Sequence, residues 1–267
     1  MRDANKDEAY FFKRIEFRKE SIVRRGVGYI QSLSRDEGRA GAASDLPSSI
    51  IKLIVLKYGR GDTIESICPD LWRWVEAMEF QAQVNNALPA DKKDIRDMYE
   101  RITLDTVYNA LTIFAFAVAL RLDATEMMRV INAIRHPGED ALIDEAARAL
   151  GDVNRPVADA CKFPKVYASL LEVWRSPAEQ RAEKLQTFGQ QWKRKIRPIY
   201  WSNSLEGAEG AYFGYWCFDI ALAAIVLKID DHGLRSNSYY PTDLVDYARS
   251  AAIPTLLCGN DDFAEKR

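Results

Sequence analysis

From Lys6 to Ala251 apolar residues recur at three- and four-residue intervals, and no stretch alternates apolar with polar side chains between hairpin turns. Such spacing lines one side of an α-helix and cannot line one face of a strand. The chain is therefore expected to be all-α, a multi-helix bundle of packed helix pairs. With 48% hydrophobic residues among 267, it has ample side chain to bury a core.

Proline, glycine and capping residues divide this pattern. A first helix is expected from Lys6 to Ser34, followed by a loop, Arg35 to Gly41. A second opens near Ser44 to Pro47 and stops at Tyr58-Gly59-Arg60-Gly61. A third region spans Thr63 to Ala87 with a break or restart at Pro69, and a fourth spans Lys92 to Leu122. Helices follow at Thr125 to Ile134, Glu139 to Leu150 and Pro164 to Arg175, with turns at Arg135-His136-Pro137-Gly138 and Gly151 to Pro156. Ser176-Pro177-Ala178-Glu179 reads as a capping box opening a helix to Ile196. Further helices are expected at Glu206 to Lys228 and Pro241 to Ala251, then a polar tail. These elements group into an N-terminal helical region, 1–122, and a C-terminal one, 123–267, which together are able to form one compact domain.

Tyr108 to Asp123 aligns without gaps to Tyr215 to Asp230, with five identities in sixteen positions. This fits either an internal repeat or two buried helices with similar stops.

The net charge of −2 argues against a main partner that is nucleic acid. Charge is unevenly spread: Cys161 to Tyr200 holds nine Lys/Arg and three Asp/Glu, whereas Trp201 to Arg267 holds five and ten. Met1-Arg2-Asp3-Ala4-Asn5-Lys6 lacks the apolar core of a secretory signal, and the longest apolar run, Ala110 to Leu120, is too short to span a bilayer. A cytoplasmic protein without membrane contact is expected, its four scattered cysteines reduced.

Catalytic machinery is sparse. His136 and His232 both fall in expected loops, outside any zinc-binding spacing, and the chain has no nucleophile elbow, Walker loop or dinucleotide fingerprint. Gly26-Val27-Gly28 sits within an expected helix. Asp230-Asp231-His232 is the nearest approach to a metal or acid–base cluster, but acids before Gly233 fit turn chemistry better. Glu206 and Glu209 suit the start of a helix, where they oppose its dipole. No cofactor, metal or enzymatic activity is expected.

Tyr212, Phe213, Tyr215, Trp216 and Phe218 crowd seven residues. On one helix they cannot all face a single stripe, so some must meet a second element or a partner, with core packing the better account of most. This segment, Tyr212-Phe213-Gly214-Tyr215-Trp216-Cys217-Phe218-Asp219, is followed by Leu227-Lys228-Ile229-Asp230-Asp231, by Leu234-Arg235, and by Tyr239-Tyr240-Pro241-Thr242-Asp243-Leu244-Val245. Together they resemble the C-terminal signature of PoNi-type immunity proteins. A weaker likeness begins at Lys57-Tyr58-Gly59-Arg60-Gly61. The family pattern usually has Glu where this chain has Asp219, an acid of shorter reach.

The resemblance implies a protein that binds and neutralises a cognate antibacterial toxin, typically a nuclease delivered by type VI secretion, by occluding it. It brings no catalytic residues and leaves homo-oligomerisation open. The alternative is a helical scaffold or adaptor for another protein. Tyr212, Gly214, Tyr215, Trp216, Asp219, Tyr239, Tyr240 and Pro241 are expected to hold the scaffold. Asp230, Asp231, Asp243 and Asp246 are expected on an acidic surface facing a basic toxin.

Overall fold

The computed structural model describes residues 1–250. Among them, twelve α-helices and no strand are found, in accord with the all-α expectation. Cys258, the polar tail and Ala251, the last residue of the expected final helix, lie outside the described residues.

The expected first helix is two: α1 (Glu8–Arg24), with Asp7 capping the Tyr10 amide, and α2 (Val27–Ser32). The break falls at Arg25 and Gly26, so Gly26 starts a helix and does not sit inside one. The expected Arg35–Gly41 loop is instead the first turns of α3 (Asp36–Arg60), with Asp36 and Glu37 at its positive end. Pro47 lies within α3 and removes one backbone hydrogen bond, yet buried Ala40, Ala43 and Leu46 keep the helix continuous through tertiary packing. Its end is as read: Gly61 adopts φ +105°, and the Asp62 amide reaches back to the Lys57 carbonyl at 3.1 Å.

Helix α4 (Cys68–Asn86) starts after a 3-10 turn, Glu65–Ile67, with Pro69 in its first turn. The expected fourth helix divides into α5 (Lys93–Glu100) and α6 (Leu104–Ala119), bent by 62°. The divider is Thr103, whose hydroxyl accepts the Thr106 amide while Thr106 accepts the Thr103 amide, a capping box built from two threonines. No single helix among the described residues is long and apolar enough to cross a membrane; only the bent α5–α6 stretch passes on composition, and α6 is largely buried.

Next come α7 (Ala124–Ile134), α8 (Ala141–Ala149), α9 (Pro164–Arg175) and α10 (Ala178–Lys195). The capping box read at Ser176 is absent: the Ser176 hydroxyl donates to the Glu172 carbonyl at 2.5 Å, and Lys184 donates to that hydroxyl at 2.7 Å. The last helices are α11 (Phe218–Val226) and α12 (Thr242–Arg249). Helix α3 packs along α4 and α1, α9 along α10, and α6 along α11 and α12. One apolar cluster runs from Phe11 to Val245.

The two echoing segments are α6 and α11, and they pack against each other. Each stops at a basic residue in the left-handed region, Arg121 at φ +54° and Lys228 at φ +52°. Leu122 then donates to the Ala117 carbonyl and Ile229 to the Ala224 carbonyl. Asp123 caps α7, and Asp230 accepts the His232 amide. Their likeness therefore includes the burial and the stop.

Cys161 and Cys217 are buried free thiols, whereas Cys68 is disulfide-bonded, which departs from the expectation of reduced cysteines throughout.

The irregular segment between α8 and α9 is held by buried carboxylates. Asp140 accepts the amides of Leu142, Ile143 and Lys162, and Asp144 takes Arg155 at 2.6 Å plus the amides of Gly138 and Ala158. Arg155 also donates to the Arg135 carbonyl. Removing one partner of such a pair leaves a buried charge uncompensated. Arg155→Ala is expected to lower unfolding free energy by about 3 kcal/mol in urea denaturation. Lys93→Ala, which removes the solvent-exposed pair with Asp97, is expected to leave it unchanged within the error of the same measurement.

Candidate functional site

The aromatic segment does not lie on a helix. Residues 206–217 run through turns and extended chain, and α11 begins only at Phe218. Glu206 and Glu209 consequently face solvent in turns and not at a helix start. Apolar and helical periodicity overlap in so short a run, and the tertiary pockets decide between them. An extended chain sends alternate side chains to opposite sides, so consecutive aromatics all find cover. Phe213 and Tyr215 pack on Trp201, while Trp216 and Phe218 pack on Tyr58. All five aromatics are buried. Gly214, at φ +123°, has no room for a side chain: a Cβ would lie 2.9 Å from Trp216 Nε1.

Polar groups of this segment are tied to distant parts of the chain. The Tyr212 hydroxyl donates to Asp3 at 2.6 Å and accepts from Asn5, and Tyr10 donates to the Tyr212 carbonyl. Tyr108 donates to the Trp216 carbonyl, and the Leu205 amide donates to the Tyr215 hydroxyl. The Cys217 amide donates to the Tyr239 carbonyl at 2.9 Å. Lys193 stacks over the Tyr215 ring and donates to the Ser202 carbonyl; burial pulls its amine down to about 8.

Asp219 sits in the core at the start of α11 and accepts from Trp192 Nε1 at 3.1 Å and from the Ile220 amide. Burial pushes its carboxyl up to about 7, and the two donors only partly oppose this.

The four acids expected on a surface separate into two environments. Asp231 is buried, which corrects its placement on an exposed face. It accepts Arg249 at 2.7 Å and the Tyr240 hydroxyl at 2.9 Å, with Arg235 at 3.4 Å. Burial alone would raise its carboxyl, but these donors and charges outweigh it and hold the group below its ordinary range. Arg249 also donates to the Ala224 and Ile229 carbonyls, so Asp231 joins the end of α11 to α12, which follows Pro241. Asp230, Asp243 and Asp246 are exposed. Two are already engaged: Asp243 by Arg2 at 2.8 Å, Asp246 by Arg235 at 2.5 Å. Arg2 is itself fixed by the Tyr58 and Asp62 carbonyls and lies over the Tyr58 ring. Arg2 was not singled out in the sequence, because pairing across 241 positions leaves no local signal; Arg235, 11 positions from Asp246, stood in the signature without a role.

Among the described residues no group of three or more His, Cys, Asp or Glu is placed to hold a metal ion. The arrangement of the signature residues is that of a clamp around buried rings, with its acids tied to arginines or indole.

A helical protein whose signature residues build its interior is thus defined. Residues 138–244 match the family model described as PoNe immunity proteins (PoNi), C-terminal, which supports the resemblance read from the signature. The match takes in every scaffold residue of the signature from Tyr212 to Pro241. Protein PA2201 from Pseudomonas aeruginosa has a similar structure, with a TM-score of 0.69 over 93% of this chain and 90% of that chain at 17% identity, a shared fold. No curated protein matches the sequence.

Asp219 generates a pH prediction. Its folded carboxyl titrates near 7 against an ordinary value of 3.8, so between those limits the folded state holds a proton that the unfolded state has lost. Stability from this group therefore falls as pH rises from about 4 to about 7 and is flat above. Asp219→Asn cannot ionise, and its stability relative to the native chain should improve steadily over that window. Parallel denaturation curves for the two proteins at pH 4.5 and 7.5 would show that Asp219 is not the proton-binding group.

Proposed function

We propose that this chain is a non-catalytic immunity protein that binds and neutralises a cognate toxin, a nuclease delivered by type VI secretion, inside the cell it protects during bacterial competition. The observation that carries this reading is the PoNi C-terminal match over residues 138–244. Its signature supports a binding role for the body as a whole: Trp216, Asp219 and Tyr240 are spent on packing and internal hydrogen bonds. Occlusion needs a rigid, pre-formed surface, because ordering mobile side chains on association subtracts from affinity.

A stoichiometric inhibitor and an enzyme that destroys a toxin or its product differ in titre. Purified chain added to the toxin domain encoded beside its gene is expected to abolish DNA cleavage at one equivalent and to leave half the activity at half an equivalent. Full protection at one hundredth of an equivalent would point to turnover and sink the non-catalytic reading.

Asp230, Asp243 and Asp246 are proposed to steer a basic toxin from a distance, with Arg2 and Arg235 reducing the field that two of them project. The side chains of Asp243 and Asp246 are 60% and 52% exposed. Asp243→Lys with Asp246→Lys should shift stability by no more than about 1 kcal/mol. It should slow association several-fold at low salt and little at high salt, measured by stopped flow. Unchanged rates at both salt concentrations would remove these acids from the interface.

A further inference from the structure

Positive charge also gathers on another face, in a groove of about 660 Å³ lined by α1–α2 and by α3 as far as Lys52. Its lining includes four cations, Arg18, Arg24, Arg25 and Lys52, against two carboxylates, Glu37 and Asp45. Glu37 is already bound by Lys92 at 2.7 Å. Arg24 and Arg25 are exposed at the mouth, whereas Arg18 and Lys52 are half-buried deeper in.

The two deeper cations are in an unusual state. Arg18 makes no ion pair or hydrogen bond among the described residues, and its Nε is buried without a partner. Lys52 has no ion pair there either; it lies over the Tyr200 and Phe213 rings, at 5.2 and 5.8 Å from their centroids. Burial lowers the basicity of both, and each is further disfavoured by a neighbouring cation, Arg14 for Arg18 and Arg18 for Lys52; the nearby Asp105 and Asp45 offset this only in part for Lys52. A desolvated cation with a like charge beside it and an orphaned donor gains from an incoming carboxylate, which would satisfy all three. The same lining holds exposed Phe17 and Tyr29, with Ile22 and Leu33 beside them, which gain from an apolar cover.

We propose that this groove docks a protein segment that carries carboxylates beside an apolar side chain, and that the segment belongs to the toxin that the chain neutralises. The second clause rests on the function proposed above. Charge complementarity identifies the occupant as acidic, and the aromatic and aliphatic rim identifies it as a polypeptide. A nucleic-acid strand fits less well, because Asp45 and Glu37 in the lining would face its phosphates.

The test uses the full chain, the cognate toxin domain as probe, and two variants. Arg18→Gln with Lys52→Met removes both deep charges and keeps the Lys52 stem over its rings; Arg24→Glu with Arg25→Glu reverses the mouth. In titration calorimetry each is expected to bind the toxin at least tenfold more weakly than the native chain. Helical circular dichroism and melting temperature should be retained, at least by the exposed-mouth variant. Affinity within twofold of native in that folded variant would overturn the groove as the docking surface. A single-stranded DNA 20-mer is titrated alongside; DNA binding abolished by the same substitutions, with toxin affinity intact, would assign the groove to nucleic acid and overturn the proposal. A native chain that fails to bind the toxin at all would sink the immunity reading and with it the toxin as occupant, an outcome distinct from loss in the variants alone.

Discussion

Tyr58 is the point on which the rest of the molecule converges. Its ring is buried edge-on against Phe116 of α6, Trp216 of the extended segment and Phe218 of α11, at centroid distances of 5.9, 5.0 and 5.2 Å. Edge-to-face contacts of this kind add direction to apolar burial, since the positive ring edge seeks a negative face. The N-terminal helices and the family signature are therefore parts of one interior. Arg2 adds to the same point, over the Tyr58 ring and against its carbonyl, while it reaches Asp243 on α12. The first residues and the last helix are joined across a residue near the C-terminal end of α3.

Charge within this body is used mostly to close it. Asp231 binds Arg249, Arg235 and Tyr240; Asp144 binds Arg155; Asp70 binds Lys57. Buried carboxylates tolerate low dielectric only with donors around them; Asp231 and Asp144 secure irregular segments that lack regular hydrogen bonding of their own, and Asp70 ties α4 to α3. Arg18 and Lys52 depart from this economy, since they are partly desolvated and neither makes an ion pair with a carboxylate among the described residues, although Asp105 and Asp45 lie near enough to favour the charge of Lys52. A fold that satisfies its other internal charges and leaves these two uncovered concentrates its binding potential at one groove.

The helix class, the stop at Gly61, the restart at Pro69 and the α9 span from Pro164 to Arg175 are legible in the residues, because each depends on local periodicity or on a backbone that only glycine or proline favours. The density of aromatics at Tyr212–Phe218 favours core packing for most of them, and the structure buries Trp216 and Asp219. What misleads is local signal that tertiary structure overrides. A loop-like run at Arg35–Gly41 is helical because Ala40 and Ala43 meet the core, and a helix-like run at Glu206–Cys217 is extended because rings on both sides need pockets.

The sequence by itself determined that this chain is helical, that aromatic rings crowd its Tyr212–Phe218 segment, and that its C-terminal region is rich in acids, since composition and short-range spacing carry that information. Only the tertiary structure decided which of those acids are free. Asp231 is buried and Asp243 and Asp246 are engaged because arginines far away in the chain, or on the opposite side of a turn, arrive beside them on folding. It likewise decided that Arg18 and Lys52, 34 positions apart on two different helices, share a groove that lacks enough carboxylates to satisfy them, because the packing of α1 on α3 sets that distance and no local rule does.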